Sequence, residues 1–466
     1  MTDAAADPAG GRFTAFSYRS FTVFFLARVF TTFGAQVLSV AVLWEIYDLT
    51  KSAWYTGLVG LVQFVPLFLL VLVTGTAADR FGRRLIMGLS IWVMSACAGA
   101  MLAASLLVPA FHPAEAASAE AFFAAHIMLA ILVMFGVGRA FLGPASSSLV
   151  VSLVPPSVFA NAVTWNSSAW QAATIIGPAA GGLLLTVGDP AAADWMRGNG
   201  MEAIAGVVEH RGAEVAYTVA LVMMAVGGLL IFTLPKPPKG PAKERPTLSN
   251  LFEGFRYIWR QKIVLGAISL DLFAVLMGGV VALMPIYADE ILHLGPAGVG
   301  WLRAAPGIGA VATAGLLAAF PIRDHAGAIM FVCVGLFGAF TVLFGFSTIP
   351  LLSIIALILL GAADMVSVVV RETLLQLWTP DDVRGRVNAV NGVFVSASNE
   401  MGEFRAGSMA RAIGEGAAGA VPAAVIGGFG AVAVAVIWAW MFPQLRKARH
   451  LNSGVDAAGE APKAAE

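Results

Sequence analysis

Charge is scarce in this sequence. Only 12% of its 466 residues are Asp, Glu, Lys or Arg, about half the share of an ordinary soluble domain. That shortage excludes a well-solvated globular surface. The 28 basic and 28 acidic residues cancel, so no global field favours nucleic acid. Cysteine is nearly absent. Cys97 and Cys333 are the only two, and both lie inside apolar runs. They suit neither a disulfide framework nor a metal cluster nor a catalytic nucleophile. The six histidines are scattered, and no phosphate loop or nucleophile–base pair is recognisable. An enzyme is therefore the least expected class, and no metal or organic cofactor is expected.

Apolar residues fill the space left by charge. They make up 59% of the chain, and the mean hydropathy is +0.83. A bilayer-spanning helix needs about 20 mostly apolar residues. Twelve runs meet that rule: 18–47, 54–78, 85–108, 121–150, 160–186, 214–234, 263–288, 296–320, 326–346, 350–376, 387–413 and 420–442. Helices satisfy every backbone polar group internally, which a membrane demands. The expected fold is all-α and polytopic, with twelve transmembrane helices. Residues 1–17, rich in Ala, Gly and Asp, read as a mobile tail, and 443–466 as a second tail. The first apolar run continues past Gln36 without a small-residue cleavage site, so no signal peptide is expected.

Basic residues set the expected orientation. Arg12, Arg19, Arg80, Arg83, Arg84, Lys236, Lys239, Lys243, Arg245, Lys262, Arg323, Arg384, Arg386, Arg446, Lys447 and Arg449 fall on one side. Lys51, Arg197 and Arg211 fall on the other. Both termini are then cytoplasmic, in the inner membrane of the cell. Two connections are long. Residues 187–213 form an acidic outer loop with room for a short helix. Residues 235–246 are Pro- and Lys-rich, a stiff linker. After it, Leu248, Leu251, Phe252, Phe255 and Trp259 recur at helical spacing, with Glu253, Arg256 and Arg260 opposite. This pattern fits a helix on the membrane surface or one packed on the bundle. Residues 235–262 thus divide the chain into six-helix units at 18–234 and 263–442.

The two units repeat. Gly177 falls on Gly402 and Gly182 on Gly407, since 402 − 177 = 225 and 407 − 182 = 225. The same offset places Pro155 on Pro380. Nearer the front of each unit the offset is 243: Gly57 falls on Gly300, Met87 on Met330 and Arg19 on Lys262. Internal duplication is a common building rule for transporters.

One polar stretch stands out between the second and third runs: Gly75-Thr-Ala-Ala-Asp79-Arg80-Phe-Gly82-Arg83-Arg84. A link this short makes its flanking helices antiparallel neighbours. It resembles the Gly-x-x-x-Asp-Arg-x-Gly-Arg-Arg signature of the major facilitator superfamily. Gly177-Pro178-x-x-Gly181-Gly182 resembles the core of the helix 5 signature of that superfamily's antiporters, with Ala173 and Ala169 where the longer glycine spacing would fall. Arg139 resembles the helix 4 arginine of proton-coupled exporters. The segment from Asn388 through Gly407 resembles the branch of enterobactin exporters and macrolide efflux proteins. The resemblance implies two pseudo-symmetric six-helix bundles that rock to give alternating access. It implies that Gly75, Asp79, Arg80, Gly82, Arg83 and Arg84 form a conformational switch, with Asp79 meeting the start of helix 11 near Val387.

Ionisable residues at membrane depth are costly and point to function. Arg28 falls on Asp271 at offset 243, and Arg139 on Asp364 at offset 225. The resemblance places helices 1, 4, 7 and 10 around the central path, so these four are expected to face one another along the substrate and proton route. Asp364 is the first expected proton carrier and Asp271 the second. Arg371, Glu372, Glu400, Glu403 and Arg405 form a second polar cluster, with Glu400 and Glu403 on one helical face. The function expected is proton-coupled efflux of an amphiphilic small molecule by a monomer in contact with membrane lipid. A lipid or lysolipid translocase, a solute importer and a non-transporting sensor stay open.

Overall fold

A computed structural model describes residues 11–111, 117–188, 194, 196–202, 211–235, 248–322 and 324–447. Twelve long helices run through them. They are α1 (Arg19–Thr50), α2 (Ala53–Phe81), α3 (Arg83–Leu107), α4 (Ala119–Val150), α5 (Phe159–Thr186) and α6 (Gly212–Thr233). Then follow α7 (Lys262–Gly278), α8 (Gly295–Ala319), α9 (Ala326–Phe346), α10 (Pro350–Trp378), α11 (Asp381–Ile413) and α12 (Gly416–Met441). Ten described spans are long and apolar enough to cross a membrane. The two helices outside that set, α5 and α11, are long but carry more polar residues. Asn161, Asn166 and Gln171 sit on α5, and Asn391, Glu400 and Glu403 on α11.

Local chemistry fixes the corners. Lys51 takes a left-handed conformation (φ 46°), and its N–H bonds the Tyr47 carbonyl at 2.6 Å, which ends α1. Gly82 turns α2 into α3 with φ 95°, a conformation side chains avoid. Ser118 caps α4 by accepting from the Ala121 N–H at 3.2 Å. The expected seventh span, 263–288, is instead broken. Its α-helix stops at Gly278, and the chain reaches Ile291 through a 3₁₀ turn, the three-residue helix Met284–Ile286 and a wide turn over Tyr287–Ile291. Gly278, Gly279 and Pro285 remove the means to continue a regular helix there.

The helix pairings repeat. In the first half α1 packs on α5 and α6, α2 on α4, and α3 on α4 and α6. In the second half α7 packs on α11 and α12, α8 on α10, and α9 on α10 and α12. Adding six to each number turns one set into the other. Two further pairings join the halves, α2 with α11 and α5 with α8, and these also interchange. Glycine lets the backbones meet. A Cβ on Gly182 would lie 2.8 Å from the Gly300 Cα, and one on Gly407 would lie 2.7 Å from the Gly57 Cα. These are the residues that the two offsets match.

Two peripheral segments differ from a simple reading of composition. Residues 11–17 are ordered against α5. The Asn161 side chain accepts from the Ala15 N–H at 3.1 Å and donates to the Arg12 carbonyl at 3.0 Å, and Phe13 stacks on Trp165. Aromatic packing and two satisfied amide bonds hold this part of the tail. The surface helix Leu248–Arg260 packs on α11. Its Ile258 is buried with Val264, Ile268 and Val387, while Phe255 and Trp259 are exposed and stack on each other. Most of the 187–213 loop, and the linker from residue 236 to 247, lie outside the described residues.

Candidate transport path between the bundles

The chain ends nearest Arg80–Arg84 are called the basic end, and the opposite ends the Tyr47 end. The described hydrogen bonds and ion pairs that join the two bundles lie at the Tyr47 end or near mid-helix. At the Tyr47 end, the Tyr47 hydroxyl donates to Glu290 at 2.9 Å and lies 3.2 Å from an Asp289 oxygen. Lys51 reaches Asp289 at 3.3 Å and Asp48 at 2.9 Å. Burial opposes the Lys51 charge, but Asp48 and Asp289 outweigh it and hold the ammonium above its ordinary pKa. Glu290 also accepts from the Ala417 N–H at 2.7 Å, where a carboxylate meets the positive end of α12.

Near mid-helix, Arg139 of α4 pairs with Glu400 of α11 at 3.1 Å and donates to Gln63 of α2 at 2.7 Å. The Arg139 side chain is 38% exposed and that of Glu400 15%. Arg303 of α8 donates to the Ser39 hydroxyl of α1 at 3.0 Å, again across the seam. Glu403 packs against α2, its Oε2 3.1 Å from where a Gly60 Cβ would stand. Six side chains from α1, α2, α4, α8 and α11 thus form one polar layer between the bundles.

A sequence profile described as the Major Facilitator Superfamily matches residues 24–327. The chain belongs to this superfamily. It is 25% identical over 452 residues to a protein named enterobactin exporter EntS from Escherichia coli O6:K15:H31, covering 95% of this chain and 96% of that one. The protein of the same name from Escherichia coli O81 is also 25% identical, over 451 residues. Among solved structures, a bacterial homologue of the human lysosomal transporter Spinster, inward-facing and unoccupied, superposes with a TM-score of 0.68. That match has 16% identity and covers 98% of this chain and 100% of that one. A bacterial homologue of the iron transporter ferroportin, also inward-facing, gives 0.67 at 15% identity, covering 92% and 98%. The fold is thus that of the superfamily's transporters.

Within this superfamily fold the four charges of the expected path do not meet as one group. Arg139 faces Glu400 rather than Asp364. Asp271 of α7 is ion-paired with Arg371 of α10, inside the second bundle. Asp364 lines a cavity of about 10 Å³ with Asp271, Ser367 and Phe337, near the lower limit for one water. The reason is helical phase: residues of equal depth in two helices share a path only if they also share a face. Arg28 makes no described hydrogen bond or ion pair, and its Nε is buried without a partner.

The second expected cluster separates into three. Arg371 and Glu372 stay inside the second bundle, where Glu372 accepts from the Asn391 amide at 3.0 Å. Glu400 and Glu403 face the first bundle. Arg405 turns the other way and donates to the Leu276 and Gly279 carbonyls at 3.1 and 3.0 Å. Those carbonyls are freed by the break in α7, so Arg405 caps a helix end within the membrane. In the helix 5 segment, Gly177 and Gly181 admit α1, with Gln36 and Val37 against them, while Gly182 admits α8. Pro178 lies between them within α5.

In the stretch expected to act as a conformational switch, Arg83 donates to the Ser148 carbonyl at 2.9 Å, and Arg84 donates to the Leu234 carbonyl. Two cations thus sit at the carbonyl ends of α4 and α6, where helix dipoles favour them. Arg80 is exposed over the Phe81 ring. The Asp79 side chain, and with it the expected contact near Val387, lies outside the described side chains, as does the expected cap Asp382. Sequence reasoning missed Arg303, Gln63 and Ser39. Arg303 carried the signal used for Arg28, an ionisable residue within an apolar run. Gln63 and Ser39 carried none, since neutral polar residues are common in such helices.

Proposed function

We propose that the chain is an exporter of an amphiphilic small molecule, driven by the proton gradient, in the inner membrane with both termini cytoplasmic. The single observation that carries the reading is the Arg139–Glu400 pair. It joins bundles that alternating access must separate. With the basic end assigned to the cytoplasm, the Tyr47–Glu290 and Lys51–Asp289 contacts tie the bundles together on the outer side in this reading. A proton on Glu400 removes the charge that holds Arg139, and substrate binding between the bundles then competes for the freed guanidinium. Glu403, on the same face of α11, is the second acid in reach of this event. Asp364 remains the rival carrier, acting from inside the second bundle.

The full-length relatives named as enterobactin exporters support export over import, and siderophores, drugs and related metabolites are the first substrates to try. The protein works as a monomer in this proposal, with no cofactor other than the coupling proton. The test is uptake by everted membrane vesicles under an imposed proton gradient, with enterobactin, a drug panel and a fluorescent lysolipid. Gradient-driven uptake of a small molecule supports the exporter. Movement of the lysolipid alone would make it a lipid translocase, and uptake only in right-side-out vesicles an importer. In the same vesicles Asp79→Asn is expected to raise cysteine labelling at the cytoplasmic mouth, and unchanged labelling with normal transport removes the switch role.

A further inference from the structure

The helix Leu248–Arg260 is too short to span a membrane, and one face of it is fixed to the second bundle. A Cβ on Gly254 would stand 2.9 Å from the Arg386 carbonyl oxygen, so the helix backbone lies directly on the start of α11. The Tyr257 hydroxyl donates to the Trp378 carbonyl at 2.7 Å, at the end of α10. Ile258 is fully buried among Val264, Ile268, Leu375 and Val387. Gly254, Tyr257 and Ile258 follow the i, i+3, i+4 spacing of one helical face. Two residues past the end of the helix, Lys262 opens the span Lys262–Ile291. The helix is therefore held at a bilayer surface, at the basic end of the molecule.

The rest of its circumference carries two stripes. Phe255 and Trp259 share one; they are 41% and 61% exposed, and their rings stack at 5.9 Å. Arg256 and Arg260 share the next, and both are exposed. At about 100° per residue, the aromatic stripe lies roughly a third of a turn to one side of the bundle contact and the cationic stripe a third of a turn to the other. None of the described ion pairs uses Arg256, Arg260 or Lys262. Residues 236–262 hold seven basic side chains against Glu244 and Glu253, a net charge of 7 − 2 = +5 in a chain whose total is zero. Water alone favours the arginines and opposes the rings, and hydrocarbon does the reverse. A layer of lipid headgroups accepts both at once.

We propose that Phe255, Arg256, Trp259 and Arg260 form a binding site for anionic phospholipid in the leaflet at the basic end. The rings enter the boundary between headgroups and acyl chains. Each guanidinium donates to phosphate oxygens in pairs, and the exposed Lys262 adds a third positive charge beside them. A zwitterionic phospholipid offers the same phosphate with its own cation attached, so the preference is for headgroups of net negative charge. The occupant is a lipid rather than a soluble anion, because the aromatic stripe adjoins the cationic one and supplies apolar contact that a free phosphate leaves unused. Bound lipid is thereby attached to the second bundle. The site needs neither a direction of transport nor a coupling proton, so it stands apart from the exporter reading.

The experiment titrates the purified full-length protein in detergent with phosphatidylglycerol or phosphatidylcholine of the same acyl chains. Native mass spectrometry counts the lipids held per chain. The first phosphatidylglycerol should bind about tenfold more tightly than the first phosphatidylcholine. Replacing both arginines, by Arg256→Gln and Arg260→Gln, should remove most of that preference and leave phosphatidylcholine binding unchanged. Replacing both rings, by Phe255→Ser and Trp259→Ser, should weaken the two lipids alike and keep the preference. On the wild-type protein, which needs no variant to fold, raising ammonium acetate from about 0.05 to about 0.5 M should erase most of the preference by screening. Glycerol 3-phosphate at the lipid's own concentration should displace nothing. Equal binding of the two lipids by the wild-type protein, or a preference that survives loss of both arginines, overturns the assignment. Displacement by glycerol 3-phosphate would make this a soluble-phosphate site and overturn it as well.

Discussion

Two ion pairs of the same chemistry sit in different mechanical places. Arg371–Asp271 joins α10 to α7 within one bundle, with side chains 4% and 9% exposed. Arg139–Glu400 joins α4 to α11 across two bundles, with side chains 38% and 15% exposed. A pair inside a rigid body is never asked to open. Its partners can be fully desolvated, and either one left alone is a serious defect. A pair between moving bodies must break in each cycle. It has to be weak enough to yield and wet enough for a proton or substrate to reach it. On the proposed reading, burial separates staple from switch more surely than charge does.

The largest expected effect is on the staple. Arg371→Ala leaves Asp271 buried without a counter-ion and should cost about 3–5 kcal/mol of stability, read as a fall in the unfolding midpoint of the purified protein. Joint replacement by Arg371→Met and Asp271→Leu should recover most of that loss, and a double variant no better than the single would break the comparison. Glu400→Gln should change stability by only about 1 kcal/mol or less. It should nevertheless abolish gradient-driven efflux and leave substrate counterflow. If Asp364→Asn does this and Glu400→Gln does not, the buried region is the switch and the comparison reverses.

Gly182→Val should disturb the seal rather than the charges. Its side chain would meet the Gly300 backbone, so α5 and α8 cannot approach. A cysteine placed near Ser39 should then label faster from the outer side. The smallest expected effect is that of Tyr47→Phe, which removes the hydroxyl shared by Asp289 and Glu290. The loss of about 1 kcal/mol should open the Tyr47 end about fivefold more often in the same labelling assay.

The spans were legible in the sequence because hydropathy and length dominate a membrane helix. The duplication was legible because close-packed glycines at 57, 182, 300 and 407 cannot be replaced without separating helices. The break in α7 was harder. Gly278, Gly279 and Pro285 signalled it, but an apolar run continues through them, and hydropathy is blind to backbone geometry. The charges were legible as important, yet not as partners. Equal offsets gave Arg139 and Asp364 equal depth and said nothing of the face each presents. The match that mattered, Arg139 with Glu400, joins residues 261 apart and depends on how two bundles are docked. Arg303 was equally visible as a lone charge in an apolar run, and its hydrogen-bond partner is Ser39, a residue that composition cannot mark.

The Tyr47–Glu290 contact has a history written into its numbering. Since 290 − 47 = 243, the two residues are the same position in the two halves. The glycine contacts have the matching property: 57 meets 407 as 300 meets 182. This is the grammar of a twofold homodimer, where patch i meets j, patch j meets i, and a residue on the axis meets its own copy. A dimer of identical chains is bound to place two tyrosines or two glutamates at such a point. Two glutamates repel, and two tyrosines offer no charge to the neighbouring helix end. Fusion into one chain lifts that constraint, because each copy then mutates alone. The axis position could become a donor on one side and an acceptor on the other. The contact that ties this end of the transporter is thus one that two identical chains could not make.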